Sequence, residues 1–379
     1  MDSLTETRHR RHRRGAVVVL AAVMMAALLA LFAFAVDMGT VCLHRTQAQA
    51  AADSSALAAA QLMVGEDRLR GEFYTTYSDA RKVAAQYAAL HQIGGQDASL
   101  QADDDVIFGR LDDPVDRSAV MDSSDPARYN AVTVNVQASA GRRTQARLLF
   151  ASFIGLEGVD VDATATAAFA DRIGGFRTTR KHPWTSLLPF TLKFDDWKSL
   201  LDSGRDDRWT CDSEDNTVSS GSDGIPEIKM YPIDSGAGNW GTVDIGNNNN
   251  STADLVRQIC YGVSSSDLAA FGGALELNGS TDSVTLNGDT GISAGMKSAL
   301  ATIIGQPRTI PLYSTAKGTG NNRNYQIVGF AGIRIVEVNF SGSNKFIRVQ
   351  PAYVVDPTAI SNSGAENSYF VTQPPRIVR

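Results

Sequence analysis

Residues 16 to 36, AVVVLAAVMMAALLALFAFAV, form a run with no charged side chain. A helix over this run spans roughly 32 Å at 1.5 Å per residue, enough for a bilayer core of about 30 Å. A signal-peptide apolar region is shorter, about 7 to 15 residues. The run nevertheless ends in Ala33-Phe34-Ala35, a small-x-small pattern of the kind signal peptidases cut. The length predicts an uncut span that tethers the chain; a cut would release a secreted protein.

The helical pattern does not stop there. Residues 43 to 64, LHRTQAQAAADSSALAAAQLMV, contain neither Gly nor Pro and are rich in Ala, the best helix former. The spanning helix is therefore predicted to continue outward, with Gly39 as a weak point worth about 1 kcal/mol. Ala48, Ala51, Ala52, Ser55, Ala59 and Leu62 fall on one helical face of small residues. Such a face admits close approach by a helix of another subunit, or docks on the chain's own domain. Asp37 reads as a stop marker at the membrane interface, or as the partner of a cation on another helix.

Further along, the periodicities alternate. Residues 78 to 94 predict a helix capped by Ser78 or Asp79 and stopped by Gly94 and Gly95. Residues 105 to 111, 131 to 139 and 159 to 170 predict strands, and 145 to 155 a second helix ended by Gly155. Residues 65 to 172 thus read as a small α+β unit. Residues 173 to 183, rich in Gly and basic residues, read as a linker. Residues 173 to 379 as a whole read as a Gly/Asn-rich α+β domain with a loop-rich insert over 202 to 224. It contains helices over 252 to 262 and 293 to 305, and β-branched strands from 308 onward with a hairpin turn at 341 to 344. Trp184, Phe190, Phe194, Trp197 and Trp209 are predicted to be core. The fold class is α+β: one N-terminal transmembrane helix running into an Ala-rich stalk, then mixed units with mainly antiparallel sheet.

Charge adds a direction. Arg8, Arg10, Arg11, Arg13 and Arg14 crowd residues 1 to 15, whereas the chain as a whole carries −6. A basic tip on an acidic body argues against nucleic acid as a partner, and basic residues beside an apolar span stay on the cytoplasmic side. This predicts a cytoplasmic tip (1 to 15), a membrane helix (16 to 36), a helical stalk (37 to 64) and an extracytoplasmic body.

Candidate chemistry is thin. GAGNWG at 236 to 241 lacks the following helix that a dinucleotide site needs. GISAG at 291 to 295 has no histidine after it, as a hydrolase order requires. Asp212, Glu214, Asn216 and Asp223 stand at calcium-loop positions, but Thr217 replaces the obligatory Gly, so they are only a weak calcium candidate. His44, His91 and His182 are scattered and read as surface or packing residues. Cys211 and Cys260 could pair in an oxidising compartment, closing a loop worth about 4 kcal/mol. Cys42 is left over, inert or linking two copies. No catalytic residue and no cofactor is expected.

The N-terminal residues carry a resemblance. Arg14-Gly15 before the span, Val36-Asp37-Met38-Gly39 at its end, and the Gln49 to Ala60 helix with Asp53 resemble the N-terminal segment of TadE/TadG-like proteins. These belong to the tight-adherence, or Flp pilus, assembly machinery. The resemblance implies a bacterial inner-membrane anchor, a periplasmic body and a pseudopilin-like structural part in building or anchoring a pilus or secretion apparatus. It implies pilus-assembly subunits and membrane lipid as partners, with cell-wall or outer-membrane components as further ones. Leu20 stands where processed pilin-like relatives carry Glu, so pilin-type processing is not expected. The D-x-S-x-S metal motif of some relatives is absent. The alternative is a tethered surface or periplasmic module that binds glycan or protein.

Overall fold

The computed structural model describes residues 14–142, 144–212, 215–230, 239–246, 251–277, 282–289, 294–318, 322–340, 345–362 and 364–379. Helix α1 runs unbroken from Arg14 to Leu62, 49 residues, straight through Gly39. Its outer part carries an exposed apolar surface from Val17 to Val36. Beyond Val41 one face turns inward: Ala48, Ala51, Ala52, Ser55, Ala56, Ala59 and Ala60 are fully buried, while Leu62 is 40% exposed. Small side chains let backbones approach closely, and here the small face docks on its own domain. It meets Ala80, Ala84 and Ala88 of helix α2 (Phe73–Ala89) and the sheet beneath.

Helix α2 begins at Phe73, ahead of the predicted Ser78 or Asp79 start, and neither residue caps it. Tyr77, one turn from Phe73, packs into the core and extends the helix in that direction. Gly94 and Gly95 do not stop this helix, which ends at Ala89 with Leu90 as its C-cap. Both have positive φ and turn a two-residue hairpin, Gln92–Ile93 against Gln96–Asp97.

Strands β1 (Val106–Gly109), β2 (Ala131–Ala138) and β3 (Val161–Ala168) form an antiparallel sheet as the alternation predicts. Val132, Val134 and Val136 are fully buried with Ala165 and Ala167 opposite α1. The fourth strand of this sheet is Arg376–Ile377, which pairs with β3. The helix predicted over 145 to 155 is absent. Ala146–Arg147 pairs with Gly158–Val159, and a 3-10 turn at Ala151–Ile154, ended by Gly155 (φ 89°), bridges them. Apolar residues occupy every side of this segment, so a helix there would have no face to bury preferentially.

The first four residues of the linker predicted over 173 to 183 are a strand. Ile173–Phe176 is buried along its whole length between Leu275–Glu276 and Ala359–Ser361. A Cβ on Gly175 would lie 2.4 Å from the Leu275 carbonyl oxygen. The glycines there permit close strand packing.

The C-terminal half is built on a closed five-stranded barrel. Its strands are β4 (Phe190–Lys193), β5 (Trp240–Val243), β6 (Val284–Asp289), β7 (Pro307–Lys317) and β8 (Arg323–Asn339). The ring runs β4-β5-β6-β8-β7 and back to β4, antiparallel throughout except for the β7–β4 pair. The 17-residue β8 overshoots the barrel and pairs with β9 (Phe346–Pro351), which carries Ile228–Met230 at its edge. Helices α3 (Phe194–Ser203), α4 (Thr252–Tyr261) and α5 (Lys297–Thr302) pack outside through Leu200, Ile259 and Leu300. Gly262 ends α4 as predicted. The insert over 202 to 224 holds a hairpin, Trp209–Cys211 against Val218–Ser220. Phe190 and Trp197 are core, but Trp184 is exposed, its ring tilted against that of Tyr261 with centres 5.7 Å apart. The turn at 341 to 344 lies outside the described residues, as do parts of the GAGNWG and GISAG motifs; Trp240-Gly241 of the former is strand β5.

Candidate functional site

The level at which α1 passes from exposed apolar surface to packed stalk is held by Asp37. It is the first charged residue after the apolar run, and it is only 7% exposed. Its carboxylate accepts the backbone amides of Leu149 (2.7 Å), Phe150 (3.1 and 3.2 Å) and Ala151 (2.7 Å). These amides open the 3-10 turn and would otherwise lack partners, so the carboxylate caps it across a long stretch of sequence. Burial pulls the Asp37 carboxyl upward, but the Phe150, Ala151 and Leu149 amides outweigh it and hold it below the ordinary carboxylate value. The stop-marker and partner-cation readings both omit this role: the partner is the chain's own backbone.

Further down, Gln49 is the link. Its amide nitrogen donates to Asp53 Oδ1 (2.7 Å) and to the Thr164 carbonyl of β3 (3.3 Å). Asp53 thus orients the group that ties α1 to the sheet. His44 is buried against Gly94, whose amide donates to Gln47 Oε1 (3.0 Å), and His91 Nε2 lies 2.8 Å from Ser54 Oγ. Both histidines pack. At Gly39 nothing lies within 4 Å of a built Cβ. Arg14 and Gly15 are in the first turn of α1, and Arg8, Arg10, Arg11 and Arg13 lie outside the described residues.

At the far end of α1 the N-terminal half meets the barrel. Glu66 Oε1 lies 2.7 Å from Arg334 Nη1 of β8. Arg68 donates to the Met63 and Ala127 carbonyls, with its guanidinium 5.9 Å from the Tyr353 ring centre. Arg70 donates to the Asp223 carbonyl at 2.8 Å. A cleft of about 620 Å³ opens here, lined by Arg68, Arg110, Asp171 and Tyr353 among others. Arg110 is already engaged by Asp171 at 2.7 Å.

The sequence-predicted chemical residues do not converge. Asp223 spends its side-chain oxygens on the Ile225 amide and Gln350, Asn216 sits at φ 59° in the hairpin turn, and Glu214 lies outside the described residues. Asp212 stands beside the same turn, its amide donating to the Thr217 carbonyl at 2.9 Å. Among the described residues no cluster of three or more His, Cys, Asp or Glu is placed to hold a metal ion. Cys211 and Cys260 do not pair in this structure: both are free thiols, as is Cys42. Cys211 ends a hairpin strand with its thiol 4.0 Å from the Gly305 carbonyl, and burial pushes it above its ordinary pKa; Cys260 lies on α4 against the barrel core. Sequence reasoning missed the Leu149–Ala151 amides and the Glu66–Arg334 pair. The usable signal for the first was the charge-free LLFASFIGL, apolar on all sides.

Among the described residues one helix is long and apolar enough to cross a membrane, and none of its most apolar window is buried in the body. Residues 15–62 match the family described as putative Flp pilus-assembly TadE/G-like. The matched segment is nearly the whole of α1 and includes Asp37, Gly39 and Asp53. No curated protein and no solved structure matches the chain.

Proposed function

We propose that this chain is a membrane-anchored, non-enzymatic structural component of a Tad/Flp-type pilus-assembly or secretion apparatus. The apolar half of α1 spans the inner membrane, the arginine-rich tip stays in the cytoplasm, and the body stands in the periplasm. The observation that carries this reading is α1 itself: one unbroken helix whose first half is apolar and exposed and whose second half is locked into the body. A rod built this way transmits the position of the anchor to the body, because the stalk face, the Asp37 cap and the Gln49 link leave little freedom at the junction. The family match over the same helix supports a pilus-assembly role. The body presents its surfaces to other pilus-assembly subunits.

Fractionation with carbonate extraction tests the anchor, and protease shaving of spheroplasts tests the topology. The expected result is an alkali-resistant membrane protein whose body is degraded from outside. A chain recovered soluble, starting at Val36, would overturn the reading. Deleting the gene should abolish or impair piliation; normal pili and normal secretion would count against the assembly role.

A further inference from the structure

We propose that the loop Leu148–Leu156 is a second membrane contact, lying in the headgroup–acyl boundary of the bilayer that α1 crosses, at a depth set by Asp37. This rests on the reading of α1 as a membrane span. The loop sequence, LLFASFIGL, has no charge over nine residues. Leu148 packs into the core, but Phe153 is 87% and Ile154 78% exposed, and Leu149, Phe150 and Leu156 are exposed beside them. An apolar tip of this kind on the surface of a body marks a contact site.

Three observations select lipid as the occupant. First, the tip is bonded to α1 at Asp37, the residue directly after the exposed apolar stretch Val17–Val36, so the two apolar surfaces are continuous. Second, the loop's backbone is largely satisfied without water. Asp37 takes the Leu149, Phe150 and Ala151 amides; Leu148, Phe153, Gly155 and Leu156 donate to the Glu157, Phe150, Ser152 and Ala151 carbonyls. The Ser152 hydroxyl donates to the Leu149 carbonyl. Satisfied polar groups are the condition for non-helical backbone to enter an apolar medium. Third, Arg147 stands exposed just before the tip and Arg45 stands exposed two turns beyond Asp37, where both can reach lipid phosphates. The bonding also explains how a carboxylate can sit at the membrane edge: the loop solvates Asp37, and Asp37 completes the loop.

The test uses the full chain with Cys42→Ser and Cys260→Ser, reconstituted in phosphatidylcholine/phosphatidylglycerol liposomes. An environment-sensitive dye is attached at Phe153→Cys, at Val23→Cys as the span control, or at Ser118→Cys as the aqueous control, and is quenched by spin-labelled lipid. The expected result is quenching at position 153 several-fold above position 118, strongest with a shallow spin label, and loss of that quenching in Asp37→Asn while position 23 stays quenched. Quenching at 23 with none at 153 overturns the proposal, leaves the anchor standing and assigns the tip to a protein neighbour. No quenching at either position overturns both.

Discussion

Glu66 and Arg334 face each other at 2.7 Å with side chains only 14% and 4% exposed, and the pair joins the end of the α1 stalk to the long strand β8. Loss of Glu66 removes the charge partner of the buried Arg334, at a typical cost of about 3–5 kcal/mol, whereas Glu66 without Arg334 keeps Arg70 at 3.4 Å. Glu66→Gln should therefore lower the denaturation midpoint sharply, and Arg334→Met by less, because Arg70 still pairs with Glu66. Replacing both, Glu66→Leu with Arg334→Met, should recover much of the loss. Urea unfolding in detergent measures all three, and additive losses in the double variant would contradict a direct pair.

The stalk face is committed to the chain's own body. Ala52 is fully buried between α1 and its neighbours, while Ala50 is exposed on the opposite side. Ala52→Leu should destabilise by about 1–3 kcal/mol or more through overpacking, and Ala50→Leu by little. Thermal melts separate the two. Equal tolerance at both positions would mean that the small face is free for another subunit.

The Asp37 cap carries a pH signature. Its folded value lies below the ordinary 3.8, because the Phe150, Ala151 and Leu149 amides overcome the cost of burial. Its contribution is thus complete above pH 3.8 and disappears as pH falls through the lower folded value. Hydrogen exchange should show the Leu149, Phe150 and Ala151 amides protected at neutral pH and released in that acidic window. In Asp37→Asn their protection should be reduced at every pH. Unchanged exchange in that variant would argue against the cap.

Thiol chemistry distinguishes the three cysteines. Cys42 is exposed, Cys211 is buried with its pKa raised, and none is paired. Alkylation of the folded protein should modify Cys42 first and spare Cys211 until urea is added, since the thiolate is the reactive form. Intact mass should be the same with and without reductant; a difference of two hydrogens would reinstate the Cys211–Cys260 bond.

The long-range α1 pattern was legible because it depends on composition and the 3.6-residue period, which act locally. The alternation in β2 and β3 was legible for the same reason. What escaped was set by distant partners. Residues 145 to 155 contain good helix formers, yet the Asp37 carboxylate captures the amides of Leu149, Phe150 and Ala151 and the flanking residues pair as strands. Gly174 and Gly175 read as linker, although the missing side chains are what let three strands close on one another. The barrel is the strongest case: β4 and β7 each look like ordinary strands, and only their parallel pairing across more than half the domain closes the ring. Among the candidate site residues, Asp37 and Asp53 stood out in the sequence, but their bonds to the backbone of 149–151 and, through Gln49, to Thr164 required the fold.

The pairing of Arg376–Ile377 with β3 gives the molecule an order of events. During synthesis the edge of the first sheet stays open until the entire barrel has been made behind it. Helix α1 is complete long before, but the sheet packed on it cannot finish until the tail arrives. Trimming the tail should therefore expose an unpaired β3 edge, far in sequence from the cut, where it could template association with a neighbouring chain.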